Sequence, residues 1–411
     1  MYMNPIQSVI GIVVFVAVVV LLSRSRARIS YKFIATGLAM QFVLAILLLK
    51  APIVTDALVA VNRVVILLQQ VTLQATQFMF GYLAGGPPPF EISQPDNNFI
   101  VAVQILPLIL VVGALSALLF HFRILTFVVS LFSKLLRKSF GISGALGFGS
   151  ASTVFLGTIE APLIIRPYLS KLSASELLAL ITCSMATIAG TVIILYSSVL
   201  ESSLPNALAH MLTASLISVP AALMLSHIFL PGDPAAQLTF ELRQSDRTWI
   251  EVLMDSIKEG VQMIISIIAI ITVLFAFVYL FDALLALIHP TLSTGFLLGQ
   301  LLRPVMWLLG FDWASAKTAA SLMGTKIVLN EFVSYLQLSN IDSFTTRQVM
   351  VLAYAMCGFA NFGSCGIIIA GLTALVPERR QEIVRFTFYS LLLGNIATLM
   401  TGCVVSIVTY F

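Results

Sequence analysis

Apolar residues run along this chain in long unbroken stretches, not in two-residue alternation. Residues 10–22, 109–120 and 263–281 are almost continuously aliphatic or aromatic. A helix needs about 20 apolar residues to cross a bilayer, whereas a membrane β-strand reads as an alternating segment of about ten. The pattern therefore predicts an all-α membrane protein, with full spans near residues 5–22, 31–49, 99–120, 175–200, 206–230, 250–284, 344–375 and 383–411. Residues 51–79 differ, because Gln69, Gln70, Gln74 and Gln77 punctuate the apolar positions. That mixed face predicts a helix lying along the membrane interface. Residues 85–98, rich in Pro and Gly and carrying Glu91 and Asp96, read as an outer loop.

Two stretches are too interrupted to be ordinary spans. Residues 141–169 and 291–338, the latter centred on 312–338 after a connecting helix, hold glycines, polar groups and at least one carboxylate each. Backbone broken at membrane depth is tolerated where protein or a water-filled cavity receives its polar groups. These are predicted as two re-entrant hairpins entering from opposite faces, each followed by a span with a Gly-rich middle. Such an inverted repeat implies a midplane site. It divides the chain into residues 1–140 (scaffold spans and interfacial helix), 141–230 (first hairpin, broken fourth span, fifth span), 231–290 (cytoplasmic loop and long sixth span, again scaffold) and 291–411 (second hairpin, broken seventh span, eighth span).

Composition excludes a water-soluble reading. The chain is 59% hydrophobic and 10% charged, with a mean hydropathy of +1.03, against about 25% charged residues in soluble domains. The net charge of +4 reflects basic residues in short loops, a mark of topology and not of nucleic-acid binding. Arg24, Arg26, Arg28 and Lys32 follow the first apolar run and no Lys or Arg precedes it. Positive loops stay cytoplasmic, so the N-terminus is expected outside, and the segments 123–138, 233–247 and 378–385 inside. That order of charge also differs from a secretory signal. The expected location is the inner (cytoplasmic) membrane. Four scattered cysteines read as small helix-packing residues, and four histidines form no metal-binding spacing.

Ionisable residues inside such segments are costly and mark function. In Gly157-Thr158-Ile159-Glu160-Ala161-Pro162 a helix breaker precedes the carboxylate, and a proline suited to a helix's first turn follows it. Glu160 is thus expected near a helix N-terminus, either facing a solute, capping that helix, or paired with Arg166. In the second hairpin Glu331 follows Asn330, a residue able to take a left-handed backbone. Lys326 stands five residues earlier, off the spacing of a facing helical pair, which leaves a solute ligand or an ion pair formed across the fold. The spans after the hairpins are interrupted at residues 184–192 and 357–364. Small residues there suit close helix packing, while Asn361 and Ser364 add hydrogen-bonding groups one turn apart. Two carboxylates, an amide and hydroxyls suit a neutral, hydroxyl-rich solute, because a carboxylate accepts from two adjacent ribose hydroxyls or a ring N–H. No nucleophile–base pair, metal cluster or phosphate loop points to an enzyme.

These residues resemble the concentrative nucleoside transporter family over most of the chain. Three ordered motifs carry the likeness closely: residues 324–333 around Glu331, 357–364 around Asn361, and 184–191 around Thr187. The resemblance implies a homotrimer of eight-span protomers that couples nucleoside import to Na+ or, in some bacterial members, H+, by an elevator-like movement. It places Glu331, Asn361 and Ser364 on the ribose, with Asn330 and Phe359 in the same pocket. Glu160, Thr158, Ile159 and Gly157 would face the base, with Val192 packing on the ring. The cation would take carbonyls of Thr153, Leu156 and Ile188, and the hydroxyl and carbonyl of Thr187. The family commonly has Gly-Gln-Thr-Glu where this chain has Gly157-Thr158-Ile159-Glu160, so an amide able to read a pyrimidine edge is gone. Leaving such a partner unpaired costs about 1–3 kcal/mol. Gly157 with Thr191 resembles the pairing in purine-preferring members. Within transport, the altered hairpin leaves a nucleobase or modified nucleoside as the other solute.

Overall fold

The structure is a computed structural model describing residues 3–91, 100–232 and 247–410, with the backbone alone for 53–55 and 57–59. Half of the loop expected at 85–98 (residues 92–98) and all but the last residue of the inside segment 233–247 lie outside the described residues. Every regular element among them is helical.

Helix α1 (Pro5–Leu22) starts where Asn4 accepts the Ile6 N–H at 3.0 Å and Pro5 supplies a first turn that needs no N–H. α2 (Tyr31–Lys50) is capped by Ser30, and α3 (Pro52–Phe80) runs unbroken to Gly81, whose positive φ of 59° stops it. The predicted third span is interrupted: α4 (Val101–Gln104) and α5 (Leu108–His121) are separated at Pro107, which has no N–H to continue the ladder. α6 (Ile124–Phe140) then leads into the first hairpin, made of α7 (Gly144–Ser152), α8 (Glu160–Ile164) and α9 (Arg166–Leu169). α10 (Ala174–Ala186) opens on a capping box between Ser173 and Glu176, breaks at residues 187–189, and resumes as α11 (Gly190–Leu200). α12 (Ala207–Phe229) and the 40-residue α13 (Trp249–Ile288) follow. The connecting helices α14 (Thr294–Leu301) and α15 (Arg303–Leu308) precede the second hairpin, α16 (Trp313–Val328) and α17 (Glu331–Ser339). α18 (Thr346–Met356), α19 (Phe362–Leu375) and α20 (Arg380–Val408) complete the chain.

Among the described residues, eight helical stretches are long and apolar enough to cross a membrane. They include residues 60–84, which overlap most of the segment 51–79 expected to lie along the interface. They omit 344–375, because the break between α18 and α19 leaves two pieces too short to qualify.

The centre of the molecule is α10, α12, α18 and α20, which pack on one another. In the spanning windows of α10–α11, α12 and α20, 83% of residues are buried. α13 is the opposite case: its window is 0% buried, and it lies chiefly along α5. Gly260 allows that crossing, since a Cβ there would come within 2.9 Å of Leu110 Cδ2. An apolar helix so uncovered must meet lipid or another chain.

Chain contacts orient the hairpins. Asn4 donates its N–H to Gly310 O at 3.1 Å, joining the start of α1 to the base of the second hairpin. At the other end of α1, Arg24 N–H donates to Phe229 O at 2.9 Å. Arg379 reaches the carbonyls of Leu169 (3.0 Å) and Leu172 (2.7 Å), so the start of α20 sits at the base of the first hairpin. With α2, α12 and α20 packed side by side, the hairpins open toward opposite ends of the bundle, and their tips meet between.

Candidate substrate site

A cavity of about 910 Å³, counted to its open mouth, lies where the tips meet. Gly157, Thr158, Ile159 and Glu160 form one wall and Leu329, Asn330, Glu331 and Phe332 the facing one. The α18–α19 break contributes Phe359, Asn361 and Ser364, α11 contributes Val192 and Tyr196, and α13 closes the side with Met263, Ser266, Ile267 and Ile270.

Glu331 is the first residue of α17 and is 2% exposed. Both carboxylate oxygens have protein donors: Tyr196 Oη donates to Oε1 at 2.6 Å, and Asn361 Nδ2 to Oε2 at 2.8 Å. Asn361 Oδ1 accepts the Ser364 N–H at 2.8 Å, so one side chain caps α19 and orients the carboxylate. Asn330 is not left-handed as its residue type allowed. Its φ of −168° is extended, and Oδ1 accepts the Val333 N–H at 3.0 Å. Capping α17 satisfies an otherwise orphaned donor, which a left-handed turn would not do.

Lys326 does not pair with Glu331. Its buried ammonium donates to Asn395 Oδ1 at 2.7 Å and to Ala360 O at 3.2 Å, and Asn395 Nδ2 donates to the same carbonyl at 3.0 Å. The lysine therefore fastens the second hairpin to the broken segment that carries Asn361. Glu160 heads α8 without a side-chain cap, and no ion pair within 4.0 Å joins it to Arg166 among the described residues. Its carboxylate folds back over Gly157, where any Cβ would overlap it. Ile159 seats against Gly371 of α19; a Cβ on that glycine would lie 2.7 Å from Ile159 Cδ1.

The residues expected to hold a cation lie behind the cavity wall. Thr153 caps the C-terminus of α7 and Thr187 that of α10, and the Thr187 hydroxyl stands 3.2 Å from Thr153 O and 2.9 Å from Cys183 O. Ile188 is buried beside them, and Leu156 lies three residues past Thr153 in the same hairpin. Phe359 N–H donates to Thr187 O at 3.2 Å and Gly190 N–H to Phe155 O at 3.2 Å, tying both chain breaks and the first hairpin together.

Thr191 is not part of the cavity lining, because one residue turns a helix about 100° away from Val192. Tyr196 went unnoticed in the sequence although it stands one turn after Val192 on the same face, with a hydroxyl in an apolar run. The α13 residues carried no signal, since Ser266 is embedded in a uniformly apolar stretch.

Two broken helices and two hairpin tips around a buried carboxylate, set in a bundle of apolar spans, are the construction of a secondary membrane transporter. Family models agree along the chain: "Na+ dependent nucleoside transporter N-terminus" matches residues 10–83, "Nucleoside recognition" matches 102–203, and "Na+ dependent nucleoside transporter C-terminus" matches 210–406. The chain belongs to this nucleoside transporter family, and it is a multi-pass transporter and not an enzyme. Nucleoside permease NupC of Helicobacter pylori is 29% identical, covering 98% of each chain. Solute carrier family 28 member 3 of Mus musculus is 27% identical over 97% of this chain, which spans 58% of that protein. The solved structure of CNTnw in an inward-facing substrate-bound state superposes with a TM-score of 0.89 at 26% identity, covering 99% of this chain and 98% of that one.

Proposed function

We propose that this protein imports nucleosides across the inner membrane in symport with Na+, and that Glu331 is the ribose ligand. The hydrogen bonding of Glu331 carries this reading. A carboxylate offers about four lone-pair positions. Tyr196 and Asn361 occupy two, one on each oxygen, which leaves one on each for the paired hydroxyls of a ribose. Ser364, Asn330 and Phe359 complete that end of the cavity. Glu160 and Thr158 stand at the other end, where the carboxylate accepts ring or exocyclic N–H groups. Gly157, lacking a Cβ, lets the Glu160 carboxylate fold back against the hairpin tip, and its likeness to the glycine of purine-preferring members favours purine nucleosides; Thr191, outside the lining, adds nothing to that preference.

Sodium is favoured over a proton as the coupled ion by the oxygens around Thr187. Thr153 and Thr187 are the C-cap residues that follow α7 and α10. Helix C-termini and unwound carbonyls suit Na+ in transporters, and Leu156 and Ile188 add backbone oxygens. Movement follows from packing. α13 touches the hairpin body mainly across the cavity while resting on α5, so the hairpins can travel against these two helices. CNTnw, the similar protein, has been solved in inward-facing, intermediate and outward-facing states. The uncovered face of α13 fits assembly as a homotrimer, with the N-terminus outside.

The test is uptake of labelled adenosine and uridine by the purified protein in liposomes, with Na+ or choline outside at two pH values. Sodium-dependent accumulation of both, with adenosine favoured, is expected, and Glu331→Gln should abolish it. Uptake indifferent to Na+ but driven by an inward proton gradient would reverse the ion assignment.

A further inference from the structure

We propose that Arg24, Arg385 and Tyr389 form a phosphate-binding site at the cytoplasmic rim, filled by the headgroup of an anionic phospholipid from the same leaflet. Arg24 leaves the end of α1, and Arg385 and Tyr389 lie one turn apart on α20. Arg24 Nη2 donates to Tyr389 Oη, and Arg385 Nε donates to the same hydroxyl at 2.9 Å. The two guanidinium carbons lie 5.2 and 5.5 Å from the centre of the Tyr389 ring, with Arg24 also 5.9 Å from that of Phe229. Two cations are thus gathered on one neutral phenol.

Like charges so close repel unless an anion joins them. Among the described residues neither arginine has a carboxylate within 4.0 Å. Glu382, which borders the same cleft, is held by Arg379 at 2.6 Å. Guanidinium forks match the geometry of phosphate oxygens, and the cleft of about 790 Å³ beside them is open to receive one.

The surroundings select a lipid over a soluble phosphate. Leu21 and Leu22, just before Arg24, are 63% and 46% exposed; Phe388 and Leu392, one and two turns beyond Arg385, are 53% and 45% exposed. The arginines therefore sit at the head of two apolar stripes on neighbouring helices, which is where a headgroup lies when its acyl chains run along the protein. Both belong to basic segments expected on the cytoplasmic side, the leaflet face whose anionic lipids attract Arg and Lys.

The test compares the wild-type protein with Arg24→Gln/Arg385→Gln in nanodiscs of phosphatidylcholine, alone or mixed with phosphatidylglycerol. Bound lipid is counted by native mass spectrometry, and melting is followed in parallel. Wild type should retain phosphatidylglycerol and melt higher with it than in phosphatidylcholine alone. The double variant should bind it roughly 30-fold more weakly, from about 1 kcal/mol for each basic residue at an anionic surface, while melting like wild type in phosphatidylcholine. Equal retention of the two lipids by wild type, or undiminished phosphatidylglycerol retention by the variant, would overturn the site. Equal protection of wild type by inorganic phosphate in phosphatidylcholine alone would overturn the assignment to lipid.

Discussion

The Tyr196 hydroxyl lies 2.6 Å from Glu331 Oε1, joining the helix after the first hairpin to the tip of the second. A hydrogen bond to a charged group contributes about 1.5–3 kcal/mol. Tyr196→Phe should therefore weaken ribonucleoside recognition, raising the apparent Michaelis constant on the order of 10- to 100-fold. A 2′,3′-dideoxynucleoside, which makes no use of the carboxylate, should compete for uptake as it does with wild type. Competition assays on both proteins check this, and an equal loss for both ligands would mean that the tyrosine only supports the fold.

Lys326 and Asn395 should behave as one unit. Lys326→Met leaves Asn395 Oδ1 without its donor at 2.7 Å, and an unpaired buried acceptor costs about 1–3 kcal/mol. The single variant should melt at a lower temperature in detergent. Adding Asn395→Leu removes that orphaned acceptor but also takes the second donor from Ala360 O, so the double variant should lose less than the sum of the two single changes. Melting curves of the four proteins measure that coupling.

Gly371→Ala should push Ile159 out of its seat, since the new methyl would stand 2.7 Å from Ile159 Cδ1. The displaced hairpin tip should bind nucleoside less tightly even though alanine is the better helix former by about 1 kcal/mol. Ile159→Ala in the same protein should restore binding. Equilibrium binding of adenosine to the two single variants and the double variant decides it; failure of the second change to compensate would rule out steric displacement.

Thr187→Val removes the hydroxyl that stands between the Thr153 and Cys183 carbonyls. If that oxygen helps hold Na+, half-maximal uptake should need more Na+ while the nucleoside constant at saturating Na+ changes little. A sodium titration of uptake separates the two parameters.

Thr158→Gln with Ile159→Thr should return pyrimidine recognition to the first hairpin. The longer amide can donate and accept along a uracil edge, so the ratio of uridine to adenosine uptake should rise. An unchanged ratio would place base selection elsewhere in the cavity.

Uninterrupted apolar runs fixed much of this protein in advance, because a bilayer admits few alternatives to a helix of about 20 residues. Helix positions, both hairpins and the paired carboxylates followed from where glycine, proline and charge interrupt those runs, and the motifs around Glu331, Asn361 and Thr187 pointed to the family. Hydropathy did not show the bend at Pro107, since that proline sits inside an apolar run. The choice for Lys326 between Glu331 and another partner was equally closed to it. Spacing along one chain says nothing about Asn395, nearly seventy residues away, and a buried ammonium goes wherever the fold brings an acceptor. Tyr196, the α13 wall of the cavity, and the seat of Ile159 on Gly371 arise in the same way. The sequence by itself determined which groups are too polar to be left in lipid. Only the tertiary structure decided which partners satisfy them, because those partners come from helices that packing, not chain proximity, brings together.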